Sequence, residues 1–122
     1  MTKSATTVLI VEDNAADARY AEELLPGGAY KFVEAKTLAQ AVECLNQKDI
    51  DVILLDLSLP DSLGLQTVSY LVERSKELPI VVLTGLDDIA SATEAVRAGA
   101  HDYMIKARLT ADSLIKSLDH AI

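Results

Sequence analysis

Five short apolar runs recur along the chain, and the first, third and fourth are continuous rather than alternating. The runs are Val8–Val11, Tyr30–Ala35, Val52–Leu55, Ile80–Leu83 and Tyr103–Ile105. A continuous apolar run of this length is typical of a strand that is covered on both faces, as the strands of parallel sheets are. The runs therefore predict a buried parallel sheet.

Segments with helical character separate these runs. Apolar residues recur at helical spacing in three of them: Leu38, Ala41, Val42 and Leu45; Ile89, Ala92 and Val96; and Leu114, Ile115, Leu118 and Ile122. Asn14 and Thr110 are residue types that cap helices, and Asp17 falls in a first turn, where the helix dipole favours an acid. Thr37 with Gln40 is a capping-box pattern. The order βαβαβαβαβα predicts a doubly wound α/β domain with five parallel strands and helices on both faces of the sheet.

Length, charge and composition narrow the class of protein. The chain has 122 residues, 50% of them hydrophobic, and no linker or output domain is evident, so we expect one domain spanning 1–122. A net charge of −8 argues against direct binding to nucleic acid. Cys44 is the single cysteine, which excludes an internal disulfide. No apolar run is as long as a signal peptide or a transmembrane helix requires, so we expect a cytoplasmic protein that binds no membrane.

Polar residues follow four of the predicted strands. Glu12 and Asp13 follow the first, Asp56 the third, Thr84 the fourth and Lys106 the fifth. Sites in open α/β sheets form outside the carboxyl ends of the strands, so these side chains are expected to converge at one edge. The sequence thus predicts a cluster of three carboxylates, one hydroxyl and one ammonium.

The chemistry of this cluster points to a phosphoryl group and a hard cation. Two like charges about 4 Å apart repel by about 4 kcal/mol at an effective dielectric of about 20, so three carboxylates need a compensating cation. Oxygen ligands of this kind favour Mg²⁺. A lysine and a hydroxyl can stabilise a phosphoryl group, and a carboxylate can itself be the nucleophile that forms an aspartyl phosphate.

Four stretches, each ending or beginning at a predicted strand, carry a family resemblance. They are Val8–Asn14, Ile53–Ser62 followed by Gly64, Ile80–Gly85 and Gly99–Lys106. In this order they resemble the receiver domain of two-component response regulators along nearly the whole chain. The resemblance implies the flavodoxin-like topology with strand order 2-1-3-4-5, in which ligands bind at the carboxyl ends of the strands where the strand order reverses.

The resemblance also implies the ligands and the nucleophile. Asp56 is similar to the phosphoacceptor. Asp13 and Asp56 would bind Mg²⁺ directly, Glu12 would act through water, and Ser58 would offer its backbone carbonyl. Asp56 would form the aspartyl phosphate. We expect the chain not to be an enzyme beyond its own phosphorylation and dephosphorylation.

The remaining implied roles concern the phosphoryl group and the switch. Thr84 would contact the phosphoryl oxygen, Lys106 would pair with the phosphate, and Tyr103 matches the switch aromatic. The expected phosphate donor is a histidine kinase or a histidine phosphotransfer protein. A downstream protein, an attached output domain or a second copy of the chain would respond to the altered helix 4–strand 5–helix 5 face.

The sequence departs from the family pattern at Ala107, where relatives usually carry proline after a cis bond. A cis bond without proline costs about 2.5–4 kcal/mol. We therefore expect a trans Lys106–Ala107 bond and a rearranged, more mobile loop before Thr110.

Two other functions and several simpler interpretations compete with this one. A pseudo-receiver that binds partners without phosphate would lack an acid, the threonine or the lysine, and none is missing. A haloacid-dehalogenase-type phosphatase would carry a second acid where Ser58 stands, and a P-loop is absent. Asp51 is interpreted as a solvated residue and Asp61 as a turn residue. Tyr103 could be only a half-buried strand aromatic.

Overall fold

The computed structural model describes residues 5–47, 49–75, 77–85 and 89–122. Residues 1–4, part of the segment in which no signal peptide is predicted, lie outside the described residues. The main sheet has five strands: β1 (Thr6–Val11), β2 (Tyr30–Ala35), β3 (Val52–Asp56), β4 (Ile80–Thr84) and β5 (Asp102–Ile105). Every neighbouring pair is parallel, and the order is β2-β1-β3-β4-β5. The predicted fold class and strand order are confirmed.

Five helices connect and cover these strands. They are α1 (Ala15–Leu24), α2 (Leu38–Gln47), α3 (Gly64–Arg74), α4 (Ile89–Arg97) and α5 (Ala111–Ala121). A 3₁₀ turn, Lys106–Arg108, follows β5, and a two-residue antiparallel pair, Ser58–Leu59 with Ser62–Leu63, follows β3. None of the helices in the described ranges has the length and hydropathy needed to cross a membrane.

The sheet divides the core into two layers, because successive strand residues face opposite sides. In β1, Leu9 and Val11 join the layer under α2, α3 and α4, whereas Val8 and Ile10 join the layer under α1 and α5. We call these the α2–α4 layer and the α1–α5 layer. Every residue of β3 and β4 is buried, which is why their sequences are continuously apolar rather than alternating up to the site.

The helix starts follow the predicted caps. The Asn14 side chain accepts hydrogen bonds from the backbone N–H groups of Ala16 and Asp17 at 2.9 and 3.1 Å. Thr110 accepts from the N–H of Ser113, whose hydroxyl in turn accepts from the Thr110 N–H. These caps fix where α1 and α5 begin, directly beside the ends of β1 and β5.

The start of α2 is also set by the predicted pair Thr37 and Gln40, and the end of α4 is set by a glycine. Thr37 Oγ1 accepts from the Gln40 N–H, but the Gln40 side chain reaches back to the Lys36 N–H rather than to that of Thr37. Gly99 has a φ of +126°, and a Cβ there would lie 2.9 Å from Val72 Cγ2. Glycine is therefore required both by backbone conformation and by the close approach of α3.

Glu22 on α1 and Glu34 on β2 form a pair of acids that makes the free energy of unfolding depend on pH. Burial, then a hydrogen bond and charge repulsion from Glu34, raises the pKa of Glu22 from 4.5 to about 7. Glu22 Oε2 is buried and has no hydrogen-bond partner among the described residues. A carboxyl whose pKa is higher in the folded state binds more protons when the protein is folded. The contribution of Glu22 to the free energy of unfolding therefore falls as the pH rises from about 4.5 to 7.

We therefore expect Glu22→Gln to stabilise the protein at pH 8 and to have little stabilising effect at pH 4. The gain is no more than about 1 kcal/mol, because solvent screens a partly exposed pair. Thermal melts at the two pH values measure it, with the exposed neighbour Glu23→Gln as the control. Equal shifts of the melting temperature at both pH values would contradict the prediction.

Candidate functional site

The carboxyl ends of four strands bring the predicted site residues to one edge of the sheet. Glu12 and Asp13 follow β1, Asp56 ends β3, Thr84 ends β4 and Lys106 follows β5. The three acids each place a carboxylate oxygen within 4.8 Å of the other two. The predicted convergence of three carboxylates is therefore confirmed in position.

We call Glu12, Asp13 and Asp56 the acid cluster. The oxygen donors of this cluster fit a hard divalent cation. Glu12 and Asp56 are buried while Asp13 is exposed, so the cluster is open to solvent on one side. Glu12 Oε2 is buried without a hydrogen-bond partner among the described residues. Burial, and then the neighbouring Asp56, raises the pKa of Glu12 to about 9 against the opposing effect of Lys106. A cation such as Mg²⁺ would satisfy the orphaned oxygen and offset the repulsion that raises this pKa.

Lys106 contacts three carboxylates. Its Nζ lies 2.6 Å from Glu12 Oε1 and 2.9 Å from Asp17 Oδ2, and both contacts are hydrogen bonds. It lies 3.4 Å from Asp56 Oδ2, a distance that makes an ion pair. Burial lowers the pKa of Lys106, but the bonds to Glu12 and Asp17 outweigh it and hold this pKa above its ordinary value. The amine is therefore a stable cation facing Asp56.

The segment after Lys106 differs from the usual proline-containing loop. No peptide bond within the described ranges is cis, so the Lys106–Ala107 bond is trans as predicted. The chain instead forms the 3₁₀ turn Lys106–Arg108, and Leu109 is buried in the α1–α5 layer. The predicted greater mobility of this loop stays a prediction.

The other predicted site residues are Ser58, Thr84 and Tyr103, of which Ser58 contacts Asp56 through its backbone. The Ser58 N–H donates to Asp56 Oδ1 at 3.2 Å, so this residue orients the carboxylate. Thr84 is buried, and its Oγ1 donates a long 3.4 Å bond to the Gly85 carbonyl. Tyr103 is partly buried against the α2–α4 layer, on β5 rather than in the acid cluster. Its position fits both a strand aromatic and a switch residue.

Two acids have contacts that their local sequence did not indicate. Asp61 is not merely a turn residue, because its two carboxylate oxygens accept the N–H groups of Leu38 at 2.8 Å and Ala39 at 3.1 Å. Asp51 is not simply solvated either, since it accepts the Thr7 N–H at 2.8 Å. Asp61 thus fastens the loop after β3 to the start of α2.

We expect Asp61→Ala to lower the melting temperature and to speed amide exchange at Leu38 and Ala39. The hydrogen bond from Leu38, supported by the one from Ala39, lowers the pKa of Asp61 against the opposing effect of burial. A carboxyl with a lower pKa in the folded state stabilises it at neutral pH and loses that effect as the pH falls. Thermal melts should therefore separate wild type and variant at pH 7 and converge in acid. Asp61→Asn, which keeps one acceptor oxygen, should fall between them, and a constant difference at all pH values would contradict this account.

Comparisons with known proteins agree with this architecture. The sequence model of a family described as the response regulator receiver domain matches residues 8–119. The chain is 28% identical over 122 residues to the transcriptional regulatory protein ZraR of Klebsiella oxytoca, covering 100% of this chain and 27% of that protein. It is 36% identical over 101 residues to the KDP operon transcriptional regulatory protein KdpE of Escherichia coli (strain K12), covering 83% of this chain and 44% of that protein. The chain thus spans less than half the length of these curated relatives.

A solved structure gives the same result in three dimensions. The receiver domain of NtrX from Brucella abortus is 27% identical and superposes with a TM-score of 0.86, covering 93% of this chain and 96% of that chain. The family match spans most of the residues, the strand order is the expected one, and the acids meet at the expected edge. The chain belongs to the receiver domains of two-component response regulators, a family of signalling switches.

Proposed function

We propose that this receiver accepts a phosphoryl group on Asp56 in the presence of Mg²⁺. The observation that carries the proposal is the buried Asp56 carboxylate, which lies beside two further acids and 3.4 Å from the Lys106 ammonium. The donor is a phosphohistidine on a histidine kinase or on a histidine phosphotransfer protein. The proposal gives a role both to the acid cluster and to the partly buried Lys106 ammonium.

The acid cluster supplies the metal ligands. Asp13 and Asp56 would bind Mg²⁺ directly, Glu12 would act through a water molecule, and Ser58 would contribute its backbone carbonyl. When bound, the cation offsets the carboxylate repulsion and binds oxygens of the incoming phosphoryl group. The exposed side of Asp13 leaves the cluster accessible to a donor protein.

The transfer step needs only one nucleophile and one leaving group. An Asp56 carboxylate oxygen attacks the phosphorus, the new O–P bond forms, and the P–N bond to the donor imidazole breaks. The electron pair of that bond stays on the imidazole nitrogen, and the ring, protonated on its other nitrogen, leaves neutral. Lys106 offsets the charge that gathers on the phosphoryl oxygens, and Thr84 donates a hydrogen bond to one of them.

Phosphorylation would change the face formed by α4, β5 and α5. The phosphate adds about −1.5 to −2 charge at pH 7 beside the end of β4. Thr84 and Tyr103 lie on neighbouring strands, where Thr84 pairs in register with Ile105 and Tyr103 with Val82. A movement of Thr84 toward the phosphate would open space for Tyr103 to turn inward. A downstream protein, an attached output domain or a second copy of the chain would read this change.

The test is the intact mass of the chain after incubation with acetyl phosphate, with Mg²⁺ or with excess chelator. We expect one phosphate adduct with Mg²⁺ and none with chelator, since three uncompensated acids repel an anionic donor. Peptide mapping after borohydride reduction should place it at Asp56. A chain that takes no phosphate under any condition would favour the pseudo-receiver, and a chelator-insensitive adduct would remove the metal from the proposal.

A further inference from the structure

Helix α1 contacts both ends of the segment that carries Lys106. Asp17 Oδ2 lies 2.9 Å from Lys106 Nζ, and the Tyr20 hydroxyl donates to the Leu109 carbonyl at 3.3 Å. Asp17 and Tyr20 are three positions apart, so they lie on one face of α1. The 3₁₀ turn between these contacts is therefore held by α1 at its first residue and just after its last.

Lys106 Nζ has one more N–H donor than it has short hydrogen bonds to Glu12 and Asp17. A lysine ammonium has three N–H donors and no acceptor. Glu12 and Asp17 take one donor each at 2.6 and 2.9 Å, whereas Asp56 Oδ2 stands at 3.4 Å. The ammonium thus pairs with Asp56 without a short hydrogen bond to it, and its third N–H is not taken up by Glu12 or Asp17.

The two acids bonded to the ammonium differ in burial. The Glu12 side chain is almost fully buried, at 1% exposure, whereas that of Asp17 is 43% exposed. Glu12 belongs to the acid cluster, so a cation bound there would compete with Lys106 for the Glu12 carboxylate. Asp17 stands outside that cluster, and its hydrogen bond with Lys106 is the main cause that lowers the pKa of Asp17.

We infer that Asp17 is a positioning residue, which holds Lys106 toward Asp56 while the acid cluster binds its cation. The inference rests on the proposed function, because it assigns Asp17 a part in phosphoryl transfer rather than in the helix dipole alone. Asp17 touches neither phosphate nor metal in this scheme and acts only through the lysine. Its effect must therefore vanish when Lys106 is absent.

The experiment measures the rate of phosphorylation of the full chain by acetyl phosphate at saturating Mg²⁺. We expect Asp17→Asn to slow it by about two- to five-fold, the range that corresponds to a partly exposed ion pair. Asp17→Glu keeps the charge and should recover at least half of the lost rate. Mg²⁺ affinity, from calorimetric titration, should not change. The matched control is Asp112→Asn, which removes an exposed first-turn acid of α5 that pairs with Lys116 at 3.4 Å and is not part of the acid cluster.

A double-mutant comparison separates positioning from a general structural effect. In a Lys106→Met background, measured over longer incubations, Asp17→Asn should cause no further loss. Equal slowing in both backgrounds, no slowing in the single variant, or a faster single variant would each overturn the inference while leaving phosphorylation of Asp56 intact. A wild-type chain that takes no phosphate would overturn the proposed function and this inference together.

Discussion

Asp56→Asn should abolish the phosphate adduct completely. The amide is a poor nucleophile, yet it keeps the size of the carboxyl and an oxygen that can accept the Ser58 N–H. Replacing one of three clustered acids also removes repulsion, so the variant should melt no lower than wild type in metal-free buffer. Intact mass after incubation with acetyl phosphate and Mg²⁺ measures the first effect, and thermal melts measure the second.

Asp61→Asn is the matched control, because it changes an acid in the loop after β3 that lies outside the acid cluster and caps α2. It should take up one phosphate, as wild type does. An adduct of unchanged size on Asp56→Asn would mean that another residue is the nucleophile. A variant that fails to fold would contradict the argument that the cluster is destabilising without a cation.

Lys106→Met should slow phosphorylation by about 10²–10³-fold, the loss typical of removing one preorganised charge-stabilising donor. Methionine has a similar length and no charge, so it leaves three acids without their shared ammonium. The requirement for Mg²⁺ should remain, since the acid cluster is intact. Time courses of adduct formation measure the rate.

Lys116→Met controls for the loss of a lysine. Lys116 is 72% exposed and pairs with Asp112 on the surface of α5, so its removal should leave the rate unchanged. A Lys106→Met variant that reacts within two-fold of wild type would show that the ammonium contributes little to the reaction, whatever its distance from Asp56.

Most of the fold could be predicted because both faces of the sheet are covered. Burial on both sides makes β3 and β4 continuously apolar, and their predicted positions differ from the observed ones by a terminal Asp56 and Thr84. Two strands begin earlier than the apolar runs predict, because their first residues are polar. β1 begins at Thr6 and β5 at Asp102. These residues join the sheet through their backbones, which leaves no apolar pattern. The two-residue strand pair after β3 is too short to produce any periodicity.

Only those site residues that directly follow a predicted strand could be predicted from the sequence. Asp17 already had a sufficient local explanation as a first-turn acid, and Asp61 had one as a turn residue. Their actual partners are distant in sequence, 89 positions for Asp17 with Lys106 and 23 for Asp61 with Leu38. A single sequence carries no local signal for such contacts, so only the folded structure reveals them.

The division of the core into two layers gives the end of β3 an unusual mechanical position. On one side, Lys106 links this strand end to α1 through Asp17, and on the other, Asp61 ties the following loop to α2. We therefore expect a displacement at Asp56 to affect helices on both faces at once. A displacement that begins within one layer must instead cross strands with no exposed residues before the opposite face can move. The end of β3 is therefore a point at which the helices on the two faces of the sheet are connected by side-chain contacts.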